Sequence, residues 1–256
     1  MLALFLLNTN SVAKELHHWA KKEYLVSSFV EIALNNEYSV KQSRVRKWTV
    51  PIRYYFVHRV ADQQLHEQLS KLHLQHLSDI TGVDIQPVSK KNKANLLIVF
   101  STEGRLEKEL QSEFNIKSKK QRTQLFRNSV CLAHFSINTD HSIRKAIVII
   151  PVDRARAHAK LVACIVEELT QVMGLPNDSE KVFPSIFNDK STDYLLTGMD
   201  YIFLKLLYDV KLMVGMTKKQ VEFVLKEMVT ELDDNGSLSQ AEERVMKAGL
   251  YTLLID

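Results

Sequence analysis

Two stretches of this chain are apolar at almost every position: Asn95–Ser101 (NLLIVFS) and Lys145–Val152 (KAIVIIPV). A strand with one wet face alternates apolar and polar residues, so short continuous runs like these demand cover on both faces and sit inside a sheet. The rest of the pattern supplies the cover. Val50–Val57 (VPIRYYFV) is β-branched and aromatic, with Pro51 near its start where a missing donor does least harm, and reads as a further strand. Leu65, Leu69, Leu72, Leu77 and Ile80 mark a long amphipathic helix that stops at Gly82. Val83–Val88 is a short strand candidate, Glu103–Asn128 is polar and partly helical, and Ser129–Ile137 is another strand. A single helix is expected from about Arg154 to Met173, ended by Gly174 and Pro176. Before all of these, Glu15–Leu34 has helical spacing and ends at Asn35-Asn36. The order predicts an α+β fold with a mixed sheet, a long backing helix and a second helix directly after the most buried strand.

With 256 residues and 45% hydrophobic side chains, the chain can bury one sizeable core. A net charge of +4 is small against 34 basic and 30 acidic residues. The basic groups at Lys90, Lys91 and Lys93, and at Lys117, Lys119, Lys120, Arg122 and Arg127, have no aromatic residues interleaved to stack bases, so no nucleic-acid partner is expected. No run approaches the ~20 apolar residues of a membrane span. Met1–Ala13 has a short apolar run, Leu2–Leu7, and ends Ser11-Val12-Ala13 like a signal-peptide cleavage site, though without a basic start. It reads as a truncated signal peptide or as an amphipathic start to the first helix, and periplasmic or secreted localisation is the expectation. Cys131 and Cys164 allow one intramolecular pairing: a disulfide tying a strand to the second helix in an oxidising compartment, or two buried thiols in a reducing one.

The chemistry, if any, lies in Glu167-Glu168-Leu169-Thr170-Gln171-Val172-Met173-Gly174-Leu175-Pro176-Asn177-Asp178. A metzincin presents H-E-x-x-H-x-x-G-x-x-H/D, because ligands at i and i+4 share one helix face and a glycine lets the chain turn back with a third. On that spacing Glu167 takes the first ligand position, Glu168 that of the general base, Gln171 the second ligand, Gly174 the turn and Asn177 the third ligand, with Asp178 beside it. Both histidines are absent. The order of elements also matches a zincin-like fold, in which the last strands border a substrate groove and the next helix carries the site.

The segments FVEIALNNEY (Phe29–Tyr38), KWTVPI (Lys47–Ile52), LSDITGVDI (Leu77–Ile85), ANLLIVF (Ala94–Phe100), CIVEELTQVMGLPND (Cys164–Asp178), SIFND (Ser185–Asp189) and LTGMDYIFLKLLYDVKLMVGM (Leu196–Met216) together resemble bacterial domain-of-unknown-function family 2927, with its degenerate helix motif E-E-x-x-Q-x-x-G-L-x-N-D. The resemblance implies a fold related to metallopeptidases and carries no established activity. The expected organisation is a possible truncated signal peptide over 1–13, a zincin-like (metzincin-like) domain over 14–216 and a C-terminal helix-loop-helix tail over 217–256. Thr197-Gly198-Met199-Asp200 stands where metzincins place a Met-turn, although a buried methionine after a glycine is also ordinary packing.

A carboxamide such as Gln171 is a poor zinc ligand, so tight zinc is not expected, whereas an oxygen set suits Ca²⁺, Mg²⁺ or Mn²⁺. The alternative is a polar cluster of Glu167, Gln171 and Asn177 that fixes the helix to its return loop, its carboxylates raising one another's pKa and sharing a proton. His158, His134 and His141 do not restore the missing ligands. In the tail, Glu231, Asp233, Asn235, Ser237, Ser239 and Glu242 fit a twelve-residue calcium loop with Gly236 at its sixth place; a plain turn with Ser237 or Ser239 as N-cap explains the same residues. Two functions are expected from these residues. One is a non-catalytic or weakly catalytic exported protein that holds a peptide or protein partner beside Ala146–Pro151; the other is a peptidase or amide hydrolase with Glu168 as base.

Overall fold

A computed structural model describes residues 18–35, 44–113 and 116–254. The signal-peptide reading of 1–13 lies outside them. Five strands form one mixed sheet: β1 (Ile52–His58), β2 (Ile85–Pro87), β3 (Leu96–Ser101), β4 (Leu132–Ile137) and β5 (Ile143–Pro151), in the order β2-β1-β3-β5-β4. β1 is parallel to β2 and β3, β3 is parallel to β5, and β4 alone runs antiparallel, on the edge beside β5. The two continuous apolar runs are thus neighbours, in register from Leu96 opposite Ala146 to Ser101 opposite Pro151.

Ten α-helices are described: α1 (Lys22–Leu34), α2 (Gln63–Thr81), α3 (Leu106–Ser112), α4 (Lys119–Asn128), α5 (Val152–Ala157), α6 (Leu161–Gln171), α7 (Gly198–Tyr208), α8 (Lys218–Asp234), α9 (Ser237–Met246) and α10 (Tyr251–Leu254). Both sheet faces are covered, as the apolar runs require. One carries the main core, into which Phe29, Leu77, Ile98, Val148, Ile165, Leu169, Phe203 and Leu225 pack. The other carries a smaller cluster of Val57, Val99, Ile149 and Leu132 under Leu106 and Leu110 of α3. No helix among the described residues is long and apolar enough to cross a membrane.

Three expectations are corrected. The helix predicted from Arg154 to Met173 is two helices, because Ala159 adopts a left-handed conformation (φ 54°) and the Lys160 amide bonds back to the Ala155 carbonyl at 2.7 Å. No residue between Arg154 and Leu161 is a helix breaker by type, so the interruption has no local signature. The segment after residue 217 is not an appended tail: α8 packs on α1 and α9 on α7, with Val221, Leu225, Met228, Leu238, Ala241 and Val245 buried in the main core. Thr197–Asp200 is not a turn beneath a site but the start of α7. Thr197 caps the helix, the Asp200 carboxylate returns a bond to the Thr197 amide, and Met199 is simply buried.

Candidate functional site

Helix α6 follows β5 after α5 and the break at Ala159, and packs on the main face of the sheet against β5 and β4. Its position is fixed early by the Cys131–Cys164 disulfide, which joins the start of β4 to the first turn of the helix. On the opposite flank Thr170 donates to the Val166 carbonyl at 2.6 Å and lies 3.0 Å from Nε2 of His73 on α2. Burial drives the His73 imidazole down to about 3, so it is neutral and its Nε2–H donates to the threonine oxygen. The carbonyls at the end of α6 find donors elsewhere in the fold. Trp48 Nε1 donates to the Val172 carbonyl at 2.8 Å, and the Tyr208 hydroxyl donates to that of Met173 at 2.8 Å.

The chain then reverses at Gly174, whose φ of 118° is open to glycine and strained for other residues. A Cβ there would lie 2.0 Å from the Arg46 carbonyl oxygen, so the turn is also pressed against the extended segment 44–49. The return brings Asp178 beside α6, where Gln171 Nε2 donates to Asp178 Oδ1 at 2.8 Å. That bond locks helix to return loop. Asn177 does not join it: its amide donates to the Glu31 carbonyl at 3.0 Å and its backbone N–H to Ile32 at 3.2 Å, both on α1. The third-ligand assignment of Asn177 is corrected on that geometry, and Asp178 occupies the position facing the helix.

Glu167 and Glu168 complete the cluster. Glu168 is 5% exposed and its buried Oε2 has no hydrogen-bond partner among the described residues. Burial, then the neighbouring Glu167, Asp178 and Asp189, push its carboxyl well above the usual range. For Glu167, burial together with Asp178 and Asp189 raises the value to about 8, against an opposing pull from Lys160. Asp189 and Lys160, which approach each other at 3.9 Å, were not singled out by spacing. Asp189 ends the SIFND segment, the one signal that could have found it, and Lys160 sits in the unpredicted break before α6.

Helix ends Glu31 and Asp200 hold the surrounding loops. Asp200 accepts from Ser185 Oγ at 2.6 Å, the Ile186 amide at 3.1 Å and both Thr197 donors at 2.9 Å, which ties residues 185–197 to α7. Glu31 accepts from Ser179 Oγ at 3.1 Å, one residue past Asp178.

The metal ion that metallopeptidase spacing implies does not fit these residues. Gln171 turns its N–H, a donor, toward Asp178, Asn177 faces α1, and no group of three or more His, Cys, Asp or Glu among the described residues could hold an ion. The histidines stay apart: His158 lies in the helix break with Nδ1 on the Arg154 carbonyl, His134 is on β4, and His141 sits in the β4–β5 turn.

The calcium loop is also absent. Glu231 and Asp233 are in the last turns of α8, and Ser237, Ser239 and Glu242 are on α9, leaving only Asn235 and Gly236 between helices. Ten helical residues cannot wrap an ion as an open loop does. Glu231 instead pairs with Lys211, and Glu242 Oε2 accepts from the Gly198 amide at 2.8 Å, capping the N-terminus of α7. The turn is plain, with Gly236 (φ 72°), not Ser237 or Ser239, as its N-cap; the Ser237 amide bonds Asn235 Oδ1.

No curated protein matches the chain. A family model described as "Protein of unknown function (DUF2927)" matches residues 22–227, which takes in α1, the whole sheet, α6, its return loop and most of α8. On that match the chain belongs to the DUF2927 family.

Proposed function

We propose that this is a zincin-like domain whose metallopeptidase-type helix has become a metal-free site, and that the outer edge of β4, the strand joined to that helix by the disulfide, holds an extended peptide. The observation that carries this reading is Glu168: a carboxyl only 5% exposed, with an oxygen that has no partner among the described residues, and pushed well above the usual carboxylate range by burial and by Glu167, Asp178 and Asp189. A general base must be ionised to take a proton from water, and burial among other carboxyls disfavours the ionised form here. The outer edge of β4, by contrast, offers backbone groups to an added strand. The zincin-like assignment is supported by the antiparallel edge strand beside β5, by α6 and by the chain reversal at Gly174. A disulfide between Cys131 and Cys164 accords with periplasmic or secreted localisation.

Glu168→Gln tests the reading, since glutamine matches a protonated glutamate in shape and donor capacity. A carboxyl whose folded pKa lies above its unfolded value lends stability that is complete below about 4.5 and is lost as pH rises toward the folded value. The variant is therefore expected to flatten the fall in stability between pH 5 and 8. At pH 8 it should be more stable than the parent by about 1 kcal/mol or more, roughly 2–4 °C in Tm for a chain of this size. Peptide affinity should survive the change.

A second reading is favoured by Glu167, whose value of about 8 and partial exposure suit a group that exchanges protons near neutrality. Under it the protein is a peptide or amide hydrolase with Glu168 as base. Turnover by the parent that Glu168→Gln abolishes in a folded protein would establish this reading and reject the first.

A further inference from the structure

Among the described residues Arg46 is a cation without an anion. There its guanidinium has one hydrogen bond, a long one of 3.5 Å from Nη2 to the Ala33 carbonyl at the end of α1, and its buried Nε has no partner. No carboxylate pairs with it among the described residues, although most arginines of the chain that are partly buried have one, such as Arg154 with Glu103 at 2.7 Å. Burial lowers its pKa, the mark of a charge that has lost water without gaining a counter-ion.

The side chain is nevertheless held in place. Arg46 Cζ lies 5.5 Å from the centre of the Phe135 ring on β4, a cation–π contact, and its backbone oxygen abuts Gly174. On either side Val45 exchanges backbone bonds with Met216 and Gly215, at 3.0 and 2.9 Å, and Trp48 is tied to Val172. β4 and α6 are joined at one end by Cys131–Cys164. Four residues along the strand from Cys131 lies Phe135, and along the helix from Cys164 lie Glu168 and Gln171. The guanidinium therefore stands over the edge strand β4, next to the turn at Gly174.

We propose that Arg46 receives the terminal carboxylate of a peptide added along the outer edge of β4, so that the ligands are peptides with a free C-terminus. The proposal rests on the peptide-binding reading. A planar guanidinium with free N–H groups matches a carboxylate bidentately, and such a bond relieves the cost of its burial. The extended backbone of the ligand would lie along β4, with its last residue over Phe135.

The test uses the full chain and random hexapeptides without Asp or Glu, dye-labelled at the N-terminus and made as the free acid or as the C-terminal amide. Fluorescence anisotropy is expected to give an affinity at least tenfold higher for the free acid. Arg46→Gln should remove that preference, and Arg46→Lys, which keeps the charge but not the fork, should retain part of it. Equal affinity of acid and amide in the parent overturns the role of Arg46 while leaving peptide binding intact, and needs no variant to fold. A preference that persists in folded Arg46→Gln overturns it as well. Binding of neither peptide overturns the peptide-binding reading and this proposal together. Amides that bind only after a glutamate is added to the mixture would move the carboxylate to a ligand side chain and reject the terminal one.

Discussion

Gly174→Ala is expected to cost the protein more than about 4 kcal/mol, a large share of the roughly 5–15 kcal/mol by which a folded domain is stable. Two independent penalties combine. Alanine at φ 118° is strained by roughly 1–3 kcal/mol. Its methyl group would also lie 2.0 Å from the Arg46 carbonyl oxygen and 3.3 Å from Leu207 Cδ2. The first neighbour is backbone, pinned through Val45 and Trp48, so it cannot swing aside as the end of a flexible side chain would. Urea denaturation checks the expectation. By contrast, Gly104→Ala meets nothing within 4 Å and should be near neutral. If a folded Gly174→Ala protein is recovered, the segment carrying Arg46 must have moved, and acid-selective peptide binding is expected to be lost with it.

Removing the disulfide by Cys131→Ala with Cys164→Ala is expected to cost about 3–4 kcal/mol. The bond closes a loop with a sequence separation of 33, and the entropy that it removes from the unfolded chain grows with the logarithm of that length. The loss should be larger than the alanine packing defect alone, because both cysteines lie in the interior, 8% and 0% exposed. Local consequences follow from position. Without the bond, β4 is held to the sheet only through β5, and the spacing between the edge strand and Glu168 is no longer set covalently. Thermal unfolding of the parent with and without reductant gives the same comparison without mutation; an unchanged Tm would show that the loop contributes nothing to stability.

Much of the fold could be read from the pattern of side chains. The runs at 95–101 and 145–152 announce buried neighbours, and their register in the sheet follows from that need for cover. The stop at Gly82 is visible because glycine alone takes the left-handed cap at φ 72° cheaply. Gly174 was legible for the same reason. The break at Ala159 was not, since the fold imposes a left-handed conformation on an ordinary residue there. The integration of α8 and α9 was equally hidden: their apolar stripes are the same whether they pack on each other or on α1 and α7.

At the site, i and i+4 spacing correctly placed Glu167 and Gln171 on one face, and the idea of carboxyls raising one another needed only their proximity. Direction of side chains after the turn was beyond reach. Asn177 and Asp178 are adjacent in sequence, yet one faces α1 and the other α6. The calcium-loop pattern failed because oxygen-bearing residues at those places are also good helix and cap residues, and two helices claimed them. Arg46 carries no motif at all; only its lack of a paired carboxylate among the described residues marks it.

The central claim is that burial and neighbouring acids hold the α6 carboxyls above the usual carboxylate range. Its most direct test is a ¹³C NMR titration of the glutamate side-chain carboxyls, with Glu168 assigned through Glu168→Gln. The account predicts that the Glu168 resonance changes well above the ordinary carboxylate range, and that Glu167 changes near pH 8. A Glu168 carboxyl that ionises near 4.5 in the folded protein would contradict it.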